Sequence, residues 1–129
     1  MSSIFTKIIN GEIPCFKVAE NEQFLAFLDI TPLRMGHVLV VPKIETDYIF
    51  DIEDVELGNM FVFSKMVAAK IKKAFPCKRI GVTVIGLEVP HAHIHLIPMN
   101  SIADINFMQE KLVLSNDELA VIAEKIRNS

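Results

Sequence analysis

Short apolar runs separated by polar breaks mark the first third of the chain. FKVAE (16–20) and FLAFLDI (24–30) flank the polar NEQ and predict the two strands of a hairpin. Upstream, Asn10-Gly11 followed by Pro14 is a turn signal. After the loop TPLRMG, HVLVV (37–41) predicts a β-branched strand stopped by Pro42. The period then changes. Over 53–75, Leu57, Phe61, Ser64, Ala68, Ile71 and Phe75 recur at alternating spacings of four and three, the mark of one face of a long helix. Met60, Phe63 and Val67 widen that stripe. A stripe so wide suits a helix that touches the sheet and a second surface, such as a twin helix in a dimer. Pro76 ends the helix. RIGVTVI (79–85) and AHIHLI (92–97) return to strand pattern. Ser115 and Glu118 form a capping box, after which Leu119, Ile122, Ala123 and Ile126 give the apolar face of a terminal helix.

The order β-β-β-α-β-β-α predicts an α+β fold: a five-stranded antiparallel sheet with a long central helix and a C-terminal helix. One face of the sheet would be covered by helix and the other open. With 129 residues, 51% of them hydrophobic, the chain predicts a single domain, 1–129, with a sizeable core. A net charge of −3 argues against binding nucleic acid through a basic surface, but leaves room for a nucleotide in a local pocket. Cys15 and Cys77 stand far apart and in no CxxC pair, which predicts reduced thiols in a cytoplasmic protein. MSSIFTKIIN lacks the apolar core of a signal peptide, and no run approaches the length of a membrane span.

Three of the four histidines fall in HAHIHLIP (91–98) at every second position. Side chains alternate faces along a strand, so His91, His93 and His95 share one face while Ala92, Ile94 and Leu96 share the other. The apolar set can pack on the long helix, which leaves three imidazoles together on the open face. His37 opens HVLVV, and an antiparallel neighbour could bring it beside them. Two chemistries suit such a cluster. His-x-His can ligate Zn²⁺ or a similar metal. Alternatively, a neutral imidazole whose second nitrogen is pinned by an acceptor can act as a nucleophile.

HAHIHLI resembles the His-φ-His-φ-His-φ-φ signature of the histidine-triad (HIT) superfamily, φ being apolar. SIFTKIINGEIP and FLAFLDITPLRMGHVLVVPK resemble the corresponding regions of its Hint branch, so the resemblance spans about residues 3–98; 99–129 is expected to be a helical tail. The resemblance implies a sheet with helices on one side, a homodimer, and hydrolysis of nucleotides at the α-phosphate through a nucleotidyl-histidine intermediate. His93 would be the nucleophile, oriented by the backbone carbonyl of His91. The His91 and His37 side chains would extend that network, and His95 would bond a phosphate oxygen together with backbone amides near Glu88 and Val89. Asp29 would accept from the ribose hydroxyls. Ile4, Phe5, Ile8, Phe27, Leu28 and Ile30 would wall the purine, although Phe27 and Leu28 alternate and cannot both face it.

The chain also departs from the family. Ser3-Ile4-Phe5-Thr6 stands where many bacterial members carry a zinc-supporting CxxC, and hydroxyls are poor zinc ligands, so no metal is expected. Leu87 replaces the usual Gln before the triad, and Glu88 stands where Ser is frequent; an ionised carboxylate cannot donate to a leaving group. A transferase branch carries Gln at the third histidine position, so His95 points to the hydrolase side. The expected function is therefore a metal-independent, cofactor-free hydrolase. It would cleave purine nucleoside phosphoramidates or related nucleotidyl bonds and release a monophosphate such as AMP or GMP. Two alternatives stand beside it: a purine-nucleotide-binding module with little turnover, and a metal-dependent hydrolase using the His-x-His pair. No nucleic-acid or membrane partner is expected.

Overall fold

The computed structural model describes residues 2–129. It contains one antiparallel sheet built from β1 (Lys17–Glu20), β2 (Phe24–Leu28), β3 (Val38–Pro42), β4 (Arg79–Thr83) and β5 (Ile94–Met99), ordered β1-β2-β3-β5-β4. Three α-helices accompany it: α1 (Ile4–Ile9), α2 (Asp54–Ala74) and α3 (Asn116–Arg127). The five strands, the long helix and the terminal helix are those the sequence pattern predicts. β3 runs through Pro42 rather than stopping before it, and β5 starts at Ile94 and runs through Pro98. Pro98 lacks an N–H, but β3 has stopped pairing with β5 at Leu96, so no ladder bond to β3 is lost there.

The sheet separates two cores. Ala26, Leu28, Val38, Val40, Ile94 and Leu96 pack with α2 and α3 in the larger one. Leu25, Phe27, Leu39 and Val41 form the smaller one with Phe5 of α1. The second face is therefore not open, as the pattern implied; α1 lies on it. Six residues are too few for helical periodicity to show, and IFTKII is rich in β-branched residues, which is why α1 escaped the pattern. Its formation is tertiary: Phe5 is buried and the Ser3 side chain caps the Thr6 amide.

The buried stripe of α2 is rotated from the predicted one. Met60, Phe63, Ser64, Val67, Ile71 and Ala74 are buried, Leu57, Ala68 and Phe75 only flank the core, and Phe61 is exposed. The C-terminal tail is helical only from Asn116; before it come a 3₁₀ turn, Ile102–Ile105, and an irregular segment. Asp104 of that turn caps the Asn100 and Ser101 amides and pairs with Arg34, tying the tail to the β2–β3 loop.

Gly36, immediately before His37, has φ +92°, and a Cβ there would meet Phe75 at 3.0 Å and Pro98 at 3.3 Å. Gly36→Ala is thus expected to destabilise the protein by about 1–3 kcal/mol. Gly58 lies on the exposed side of α2 with nothing within 4 Å of its would-be Cβ. Gly58→Ala is expected to stabilise by about 0.5–1 kcal/mol. Urea unfolding of the two variants beside the wild type checks both signs.

Candidate functional site

Cross-strand register brings the histidines together. His95 of β5 pairs with Leu39 of β3, and Leu39 pairs with Phe27 of β2, so all three point to the α1 side of the sheet. His37 lies two residues before Leu39 and shares that face. His91 and His93 precede β5, yet the alternation holds: Ala92, Ile94 and Leu96 sit in the α2-side core while both imidazoles meet Phe5 edge-on, at 5.8 and 5.0 Å between ring centres. All four imidazoles are buried, because α1 and Phe107 cover the face expected to be open.

Buried imidazoles need defined partners, and here the partners decide where each proton sits. The Leu33 amide donates to His37 Nδ1 (3.0 Å), so the proton of a neutral His37 is on Nε2. That Nε2–H donates to His95 Nδ1 (2.9 Å), which puts the His95 proton on Nε2. Pro42 O can only accept, so at 2.8 Å it fixes the His91 proton on Nε2, and Ser3 Oγ, 2.7 Å away, donates to His91 Nδ1. The His91 carbonyl, at 2.7 Å, likewise fixes the His93 proton on Nδ1. Among the described residues two nitrogens remain without a protein partner: His93 Nε2, which carries the lone pair when the ring is neutral, and His95 Nε2, with a proton. Among the described residues neither is a buried orphan, so both reach solvent. Their rings are 4.9 Å apart.

Neutrality follows from burial. Burial first, then the Lys111 and His93 charges, pull His37 down to about 4. Burial, then His37 and His93, pull His95 to about 3, with Asp29 pulling weakly the other way. Burial also lowers His91. Phe107 adds to this shielding, its ring 4.8 Å from that of His95 and 6.1 Å from that of His37.

Asp29, His37 and His95 offer three potential ligand atoms within 4.8 Å of one another. The proton positions do not suit a cation there. The Leu33 amide already occupies the His37 Nδ1 lone pair, so ligation through Nε2 would require an imidazolate or the loss of that hydrogen bond. The carboxylate of Asp29 accepts from the Thr31 amide and hydroxyl through Oδ1, while Oδ2 lies 3.6 Å from His37 Nε2. It is both a turn residue and a member of the cluster.

Of the other predicted residues, Phe27 and Phe5 meet edge-on at 5.6 Å beside the histidines, and Ile8 and Val89 pack on the same small core. Ile4 and Ile30 are exposed, as is Glu88. Leu28 must be withdrawn: it lies in the α2-side core, on the far face of the sheet. The two side chains expected to extend the network around His93 do so along separate branches. His37 bonds His95, and His91 bonds Pro42 and Ser3. Sequence reasoning missed Ser3 and Thr6 as partners of His91, Glu45 beside them, and Phe107. Two clefts of about 350 Å³ lie elsewhere and have none of the four histidines in their walls.

The HIT domain family model matches residues 10–102. An uncharacterized HIT-like protein of Methanocaldococcus jannaschii is 43% identical over 99 residues, 74% of this chain and 77% of the relative. The adenosine 5′-monophosphoramidase hnt1 of Schizosaccharomyces pombe is 33% identical over 132 residues, 98% of this chain and 96% of the relative. In three dimensions, a HIT-like protein involved in cell-cycle regulation from Bartonella henselae, solved with an unknown ligand, superposes with a TM-score of 0.86 at 30% identity, covering 98% of this chain and 95% of that one.

Because the folded-state pKa values of His37 and His95 lie below 6.5, the unfolded chain binds more protons as the pH falls beneath that value. Their contribution to stability is complete above 6.5 and is lost toward 4 and 3. Between 6.5 and 4.5 the loss is expected to be on the order of 2 kcal/mol for each of His37 and His95, before carboxylate protonation adds to it. Urea midpoints across that window should fall in the wild type and fall less steeply in His37→Asn.

Proposed function

The chain belongs to the HIT family, and from that premise we propose that it is a metal-independent hydrolase of purine nucleoside phosphoramidates or related nucleotidyl bonds. The observation that carries this reading is the pairing of a lone pair on His93 Nε2 with a proton on His95 Nε2 beside it. The lone pair attacks the α-phosphorus and the bond to the leaving nitrogen breaks, that nitrogen taking a proton from solvent, which is returned when the attacking water of the second step loses its own. Water then attacks the same phosphorus, the N–P bond breaks, and His93 regains its lone pair as nucleoside monophosphate departs. The His95 N–H, set in place beforehand by His37, meets the charge that builds on a phosphate oxygen, with backbone amides near Glu88 and Val89 as further donors. Asp29 takes the ribose hydroxyls, and Phe5, Phe27, Ile4, Ile8 and Ile30 wall the purine. The activity named for the fission-yeast relative supports the substrate class.

The chain acts as one HIT domain. In it, residues past 102 supply α3 and Phe107. A homodimer suits the exposed apolar surface on and near α2: Tyr48, Phe50, Phe61, Val62 and Ile85, most of which border one cleft. A cytoplasmic setting suits the two free thiols, Cys15 and Cys77. Among the described residues, no helix is long and apolar enough to cross a membrane. A second reading, a nucleotide-binding module with little turnover, draws on Leu87 and Glu88, both exposed where the family resemblance places Gln and Ser.

Chelator-treated protein incubated with adenosine 5′-phosphoramidate is expected to release AMP, and His93→Ala to lose at least about three orders of magnitude of that rate. AMP binding without release by the wild type would support the binding module instead. Activity that returned only with added zinc would overturn metal independence.

A further inference from the structure

The amide plane between His91 and Ala92 orients the proposed nucleophile, and it is gripped from three sides. Its C=O accepts from His93 Nδ1 at 2.7 Å, and its N–H donates to Thr46 O at 2.7 Å. The His91 ring is held at both nitrogens, by Pro42 O at 2.8 Å and Ser3 Oγ at 2.7 Å. Pro42 and Thr46 bracket the loop after β3, and Glu45 of that loop reaches the start of α1. Its Oε1 accepts from the Ser3 amide at 2.6 Å and from Thr6 Oγ1 at 2.7 Å. The Thr6 amide in turn donates to Ser3 Oγ at 3.1 Å.

Ser3 Oγ also lies 3.3 Å from Thr6 Oγ1, and Thr6 Oγ1 lies 3.4 Å from His91 Nδ1, so the shorter contacts, both 2.7 Å, select the proton arrangement. An ionised carboxylate only accepts, so the Thr6 hydroxyl proton points to Glu45. The Ser3 Oγ accepts from the Thr6 amide, and its own proton is free for His91 Nδ1. His91 cannot reverse this, because its ring proton is held by Pro42 O. Loop 42–46, the cap of α1 and His91 therefore form one continuous chain of hydrogen bonds from Glu45 to the carbonyl that aims His93.

We propose that Ser3 and Glu45 are positioning residues: with Thr6 they form a clamp that locks the His91 ring and so holds the His91 carbonyl where it fixes the His93 tautomer. This rests on the reading of His93 as nucleophile. The clamp carries no charge to the reacting atoms and touches no substrate; its effect is geometric, on the step in which the His93 lone pair meets phosphorus. It also makes α1 part of the site, since Ser3 is both its cap and the donor to His91.

Ser3→Gly keeps an acceptable helix cap but deletes the hydroxyl, whereas Ser3→Thr keeps both. With adenosine 5′-phosphoramidate, Ser3→Gly is expected to lower kcat about tenfold with KM within about twofold, and Ser3→Thr to restore most of it. Glu45→Ala, at an exposed position, is expected to lower kcat about threefold without loss of fold. In ¹⁵N spectra of histidine-labelled protein, His91 in the wild type should show a single tautomer with an unprotonated Nδ1, and His93 the opposite one. In Ser3→Gly the His91 Nδ1 signal should shift as its hydrogen bond from Ser3 is lost, and the His93 signals should shift or broaden as the His91 carbonyl loosens. A folded Ser3→Gly with wild-type kcat and unmoved His91 and His93 signals would overturn the clamp. So would a loss confined to KM. If the wild type turns nothing over, the hydrolase reading fails, and the spectra still decide whether Ser3 holds the His91 ring and, through its carbonyl, the His93 ring.

Discussion

Four imidazoles lie buried against one face of a sheet; in its neutral form each must place a single proton, and backbone groups decide where it goes. An amide at Leu33 and carbonyls at Pro42 and His91 are the three fixed points. Everything else in the cluster follows from them: the direction of the His37–His95 bond, the donor role of Ser3, and the division of labour between His93 and His95. Backbone groups suit this task because they are held by the strands and loops around them and do not titrate. The site thereby inherits the rigidity of the sheet.

Much of this was legible in the chain because two-residue periodicity is a local signal. The alternation in HAHIHLIP puts Ala92, Ile94 and Leu96 in one core and the imidazoles opposite, and it does so even though the first two histidines precede the strand proper. The same alternation separates Phe27 from Leu28. The resemblance alone would carry both into the purine wall, and the sheet sends Leu28 to the other core. On α2 the period was visible but its phase was not. Apolar residues occupy so much of the helix that several stripes fit, and only the packing against the sheet selects Met60, Phe63 and Val67 over Phe61.

The partners of the histidines were not legible, for a different reason. Ser3 meets His91 across 88 positions of chain, and Glu45 meets Ser3 across 42. Such pairings arise from how loops and a six-residue helix settle on a finished sheet, and nothing in the local composition announces them. Phe107 is similar. It lies beyond the family-matched segment, and Asp104, gripping Arg34, helps hold the turn just before it against the sheet.

The sheet order carries a consequence for how the chain meets transition metals. β3 and β5 are neighbours in space but separated by α2 and β4, so His37 and His95 join only when the whole sheet closes. Before that, the unfolded chain exposes four imidazoles, each able to offer a lone pair to zinc or copper. Afterwards the lone pairs of His37, His91 and His95 are all occupied by hydrogen bonds, and one, on His93, is left. Folding thus takes three of the four imidazole lone pairs out of a metal's reach unless a hydrogen bond is given up.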